Sequence, residues 1–108
     1  MSFETKAQEF AKALKETTEY QDLSAAEARI KLDPVAQEIV ADLEKSQQTI
    51  QQAQAQGQPV NSEAQNLQLL QQKAMANETL KRFFEAQEKF SGIMEQANQV
   101  ITKELFAS

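Results

Sequence analysis

Apolar residues recur along this chain at steps of three and four, the period of an α-helix with one covered face. Phe3, Ala7, Phe10 and Leu14 fall on one stripe, with Lys6, Glu9, Lys12, Lys15 and Glu16 largely elsewhere, which predicts a short helix over residues 4–17. Thr18-Glu19-Tyr20-Gln21 reads as a capping box, in which the Thr18 hydroxyl accepts from the Gln21 amide. A second short helix over 19–32 then turns Tyr20, Leu23, Ala26 (or the stem of Glu27) and Ile30 inward. Asp33-Pro34 ends it, because proline disfavours helix in the residue before it. The same pair opens a third helix over 34–56, with Asp33 as N-cap and Pro34 in the first turn. That helix buries Val35 or Ala36, Ile39, Leu43 and Ile50, with Val40 at the flank.

Gly57-Gln58-Pro59 closes the third helix, glycine supplying a left-handed cap. A second long arm spans 63–106, opened by a Ser62/Gln65 capping box, with Asn77 acting as a cap or a mid-helix kink. Its part from Glu78 to Phe106 is the strongest periodic run: Leu80, Phe83, Phe84, Phe90, Met94, Ala97 and Ile101 keep the spacing, as do Ile93, Val100 and Leu105. At 1.5 Å per residue this helix is about 43 Å long, and its apolar edge needs a long partner. Glu78 with Arg82, and Glu85 with Lys89, stand four apart in the favourable order on the wet side. The expectation is one all-α domain over residues 1–108, a helical bundle with two long antiparallel helices forming a hairpin, plus short N-terminal helices.

Composition agrees with helices. Ala, Glu, Gln, Lys and Leu dominate, and two Gly and two Pro are too few for the turns of a sandwich or barrel. The hairpin arm is Gln-rich, with Glu63 the one charge between Ser46 and Gln72, and fraying is expected near Ala53 to Pro59. Its thin apolar set, chiefly Ile50, Leu67 and Leu70, marks a candidate partner contact. The residues Leu80, Phe83, Phe84, Phe90, Met94, Ala97 and Ile101 are assigned to core or dimer interface, a second copy about a two-fold axis being the economical cover. A Phe and Met stripe at helical spacing is more often core than a ligand groove.

The chemistry of enzymes is thin. With no His and no Cys, the common general bases, thiol nucleophiles and zinc ligands are missing. Asp22, Asp33 and Asp42 form no calcium loop, and Gly57 and Gly92 cannot make a phosphate-binding glycine motif. Carboxylates three apart, such as Glu85 and Glu88, are ordinary wet helix surface. No catalytic residue, cofactor or metal is expected. A net charge of −5 disfavours phosphate backbones and anionic lipid, so no direct nucleic acid or membrane partner is expected. The polar start Met1-Ser2-Phe3-Glu4-Thr5-Lys6 lacks a signal-peptide core, and the missing Cys mildly favours a cytoplasmic setting.

One family matches this order of caps, turn and aromatic positions. Thr18-Glu19-Tyr20-Gln21-Asp22-Leu23, Ile30, Asp33, Ala36 and Leu43 carry the likeness first. Gly57, Ser62-Glu63, Asn77, Leu80, Phe84, Ala86-Gln87, Phe90, Met94 and Val100-Ile101 complete it. From about Ala7 to Ile101 the chain resembles the YlbF/YmcA family of small helical bacterial proteins, its YheA-like branch in particular. The resemblance implies a cytoplasmic bundle, dimeric or higher, whose better-known members are regulators that assemble with other proteins. Those members influence messenger RNA processing, competence, sporulation and biofilm formation. Some of their assemblies hold iron–sulfur clusters on cysteines, which this Cys-free chain cannot supply. The expected function is a non-enzymatic regulatory or adaptor protein acting through helix-mediated protein contacts. The alternative is a prefoldin-like helical holdase whose hairpin arm cradles unfolded clients.

Overall fold

The computed structural model describes residues 2–107, which form five helices and, among the described residues, no strand. They are α1 (Ser2–Lys15), α2 (Thr18–Ile30), α3 (Pro34–Ala55), α4 (Asn61–Ala76) and α5 (Glu78–Phe106). No helix among them is long and apolar enough to cross a membrane. Two compact units emerge, residues 28–82 and residues 1–27 with 83–108.

The unit of residues 28–82 is built on α3 packed against α4. Asp33 starts α3 as the sequence predicts: its Oδ1 accepts from the Val35 and Ala36 amides, each at 3.1 Å, with Pro34 in the first turn. On the other side of this junction the Gln37 side-chain amide donates to the Ile30 and Lys31 carbonyls at 3.1 and 2.7 Å. It adds a second donor to the Ile30 carbonyl, which already accepts from the Asp33 amide at 3.1 Å, and supplies one to the Lys31 carbonyl just past the end of α2. At the far end Gly57 adopts φ +70°. The Gln58 amide returns to the Ala53 carbonyl at 2.8 Å and the Gly57 amide to Gln54 at 3.1 Å. That pair of bonds is the Schellman closure. Ala53, at the start of the stretch where fraying is expected, is buried beside this closed turn. Small buried residues (Ser46 and Ala53 on α3, Ala74 on α4) let the two helix backbones approach. Ala36, Ile39 and Leu80 complete the buried set, and Leu80 is its one large side chain wholly out of solvent.

Two local expectations are corrected and an open one is decided. The N-cap of α2 is Thr17, whose hydroxyl accepts from the Tyr20 amide at 3.1 Å and donates to the Leu14 carbonyl at 2.7 Å. Thr18 is already the first helical residue, because the α1–α2 turn closes one position earlier than the capping-box pattern suggests. Helix α4 begins at Asn61 with no side-chain cap; the Ser62 hydroxyl donates instead to Glu63 Oε2 at 3.2 Å. Of the two roles open to Asn77, cap or mid-helix kink, the structure shows the cap, so the second long arm is two helices. Asn77 has extended backbone (φ −86°, ψ 119°), ends α4, and accepts from the Leu80 amide on Oδ1 at 3.0 Å to open α5.

The other unit holds α1, most of α2 and α5 from Phe83 onward. Only Ala26 and Ala86 are buried among its described residues. Helix α1 buries none of its residues: Phe3 is 85% exposed and Phe10 41%.

Candidate functional site

The residues singled out in the sequence divide along α5 by exposure. Leu80 is buried; Phe83, Phe84, Phe90, Ile93 and Ala97 are half-buried; Ala86 is buried between them. Within its unit the covered seam of α5 therefore runs 83–86–90–93–97, an alternation of three and four. It includes Ala86, which carries too little hydrophobic signal to stand out in a periodicity count. Phe90 meets Tyr20 of α2 edge to face, with ring centroids 5.6 Å apart and planes at 63°. Phe83 and Phe84 sit edge to face on each other at 5.7 Å. Such pairs add to plain area burial because a positive ring edge meets a negative ring face.

Met94 and Ile101 lie off this seam, 37% and 44% exposed, outside the chain's own core. Beyond Ala97 every described residue of α5 is exposed, Val100, Ile101, Leu105 and Phe106 among them. Of the two ion pairs expected on its wet side, Arg82 Nε reaches Glu78 Oε1 at 3.0 Å, whereas Glu85 and Lys89 do not pair. On the hairpin arm, Ile50, Leu67 and Leu70 are all half-buried, while Leu69 stands 64% exposed.

Polar features cluster in the α3–α4 unit. The Asp33 carboxyl is held below its usual 3.8, first by the Thr79 hydroxyl and then by the Ala36 amide, against an opposing effect of burial that exceeds the small help of the Val35 amide. All three donors favour the carboxylate over the acid. A cleft of about 300 Å³ opens between α3 and α4, lined by Asp42, Lys45, Ser46 and Thr49 on one side and Glu63, Asn66 and Leu70 on the other. Among the described residues no group of three or more carboxylates gathers as a metal ion would need.

The comparisons with known proteins agree with this architecture. Among curated relatives, a UPF0342 protein of Desulfitobacterium hafniense is 30% identical over 99 residues, which is 91% of this chain and 76% of that protein. A UPF0342 protein of Staphylococcus epidermidis is 28% identical over 102 residues, 92% of this chain and 88% of that one. Among solved structures, a Bacillus stearothermophilus protein of unknown function, DUF964, matches with a TM-score of 0.80 over 97% of this chain and 93% of its own. At 21% identity that likeness speaks for the fold alone. The pattern described as control of competence regulator ComK, YlbF/YmcA, matches residues 3–105. On that near-complete match, the chain belongs to the YlbF/YmcA family.

Proposed function

We propose that this chain is a regulatory or adaptor protein that acts by offering helix faces to other chains, a second copy of itself first among them. One observation carries the reading. Helix α1 and the last nine residues of α5 bury nothing, yet both keep apolar side chains at helical spacing: Phe3, Ala7 and Phe10 on one, Val100, Ile101 and Leu105 on the other. Isolated exposed apolar residues are ordinary, but a periodic row of them on a helix that buries nothing is unfavourable in water and gains from being covered. Membership of a family described by control of a competence regulator supports a regulatory role over a metabolic one.

The holdase alternative has less behind it. A client-cradling arm needs free apolar positions, and Ile50, Leu67 and Leu70 are already largely covered within the chain. Light scattering of the purified protein at micromolar concentration tests the leading reading. A mass of two or more chains is expected, and a mass of one chain there would remove self-association from the proposal. Failure to suppress aggregation of a denatured test protein is the matching expectation for the alternative.

A further inference from the structure

The α3–α4 cleft is not explained by association through α1 and α5, and uses none of their residues. Its volume of about 300 Å³ is at the low end for small-molecule sites. Ser46 lines it at only 7% exposure, and its hydroxyl makes no hydrogen bond to any described residue. A serine inside a helix commonly sends its hydroxyl back to the carbonyl one turn earlier. Thr49 does so, to Lys45 at 3.0 Å, but Ser46 does not. No polar side-chain atom among the described residues is both sealed from solvent and unpartnered. The Ser46 oxygen therefore opens on the cleft, and its partner has to come from whatever occupies that space.

The charges around it are uncommitted as well. Asp42 and Glu63 line the same cleft as Lys45, yet the ion pairs among the described residues are Lys6–Glu9 and Glu78–Arg82. One oxygen of Glu63 accepts from Ser62 at 3.2 Å, which leaves the other free. Unneutralised charges of both signs thus share a small cleft with the unpaired hydroxyl of a serine that is itself nine-tenths buried. Exposed charges alone would stay solvated and select little; the hydroxyl of the buried Ser46 adds a fixed point of recognition. A ligand that answers all of these carries an ammonium and a carboxylate on a short body.

We propose that the α3–α4 cleft binds a small zwitterion of the free amino-acid class. Asp42 and Glu63 take its ammonium, Lys45 its carboxylate, and Ser46 exchanges a hydrogen bond with it. Thr49 and Asn66 complete the polar lining, and Leu70 offers its side chain an apolar wall.

Amide NMR of the full chain tests this, with glycine, L-serine and L-glutamine as probes and ethylamine and propionate as single-charge controls. At least one zwitterion should give saturable shifts confined to residues 42–49 and 63–70, with a dissociation constant of about 1 mM or tighter and about tenfold weaker binding of both controls. Ser46→Ala keeps a small residue in the helix contact and should weaken the zwitterion about fivefold, the value of one net hydrogen bond. Lys45→Gln lies on the exposed rim, away from the packing, and should weaken the zwitterion while leaving ethylamine unchanged. Circular dichroism melts confirm that both variants fold. Absence of saturable shifts with every zwitterion, equal affinity for the single-charge controls, or binding indifferent to both substitutions would overturn the assignment.

Discussion

The ring of Tyr20 on α2 meets the ring of Phe90 on α5 edge to face, with their centroids 5.6 Å apart. These residues stand far apart in sequence, so the pair records how α2 and α5 pack within their unit. Both rings are half-buried, and the Tyr20 hydroxyl bonds to no described residue. Phe90→Ala should therefore cost about 2 kcal/mol, below the 3–5 of a fully buried ring. Tyr20→Phe should change stability by less than about 0.5 kcal/mol. A double-mutant cycle with Tyr20→Ala and Phe90→Ala should give a coupling of about 0.5–1.5 kcal/mol. Urea denaturation at one fixed protein concentration reads all of these, and a coupling near zero would show that the two rings do not stabilise each other.

The Asp33 carboxyl also responds to a residue far along the chain, Thr79, within the α3–α4 unit. The carboxyl is depressed below 3.8, chiefly by the Thr79 hydroxyl and then by the amides it caps. The unfolded chain consequently takes up this proton first as pH falls, so more protons are bound to the unfolded than to the folded state. The stabilisation is present in full above the unfolded value and is lost as pH drops from there through the lower folded value. The urea midpoint should fall with acid below about pH 4. Asp33→Asn retains a cap acceptor without a titrating group and should flatten that acid limb. Thr79→Val should bring the Asp33 pKa back toward 3.8, measurable by carboxyl NMR titration. An unchanged Asp33 titration in Thr79→Val would remove Thr79 as the main cause.

The two glycines should respond to alanine with opposite signs. Gly57 sits at φ +70° in the turn after α3, and a Cβ there meets nothing within 4 Å. The penalty of Gly57→Ala is thus pure backbone strain, about 1–2 kcal/mol. Asn tolerates that conformation better, so Gly57→Asn should cost less. Gly92 lies inside α5 with open space around its Cβ position and ordinary helical φ. Gly92→Ala should stabilise by about 0.4–1 kcal/mol through the unfolded chain's lost freedom. Thermal melts of the two alanine variants decide it, and a shift of the same sign in both would contradict the backbone account.

Features set by strong local chemistry were legible in the sequence: Asp33 before Pro34, Gly57 as a left-handed cap, and the aromatic run on α5. The errors arise where neighbours offer the same chemistry. Thr17 and Thr18 present identical hydroxyls, and the turn geometry selects the first. Asn77 satisfies both a kink and a cap, and the extended backbone at that residue settles which. Small residues hide best: Ala86 and Ser46 are buried because helices approach closely at them, a property that hydropathy does not encode. The influence of Thr79 on Asp33 links segments far apart in the chain, so no local pattern announces it.

The exposed row on distal α5 gives the most discriminating prediction for association. Ile101 and Leu105 are 44% and 69% exposed and lie four residues apart, on one helix face. Replacing both with Lys removes little packing inside the chain, so stability at low protein concentration should move by less than about 0.5 kcal/mol per site. The same change places two charges in any apolar interface formed there, where each unpaired charge is costly to desolvate. Sedimentation velocity should show the double variant as a single chain at concentrations where the parent protein associates. Phe84→Ala serves as contrast: its ring packs on Phe83 at 5.7 Å, so it should lower the melting temperature. If the double Lys variant keeps the parent's mass, distal α5 lies outside the contact, and the exposed face of α1 becomes the surface to test.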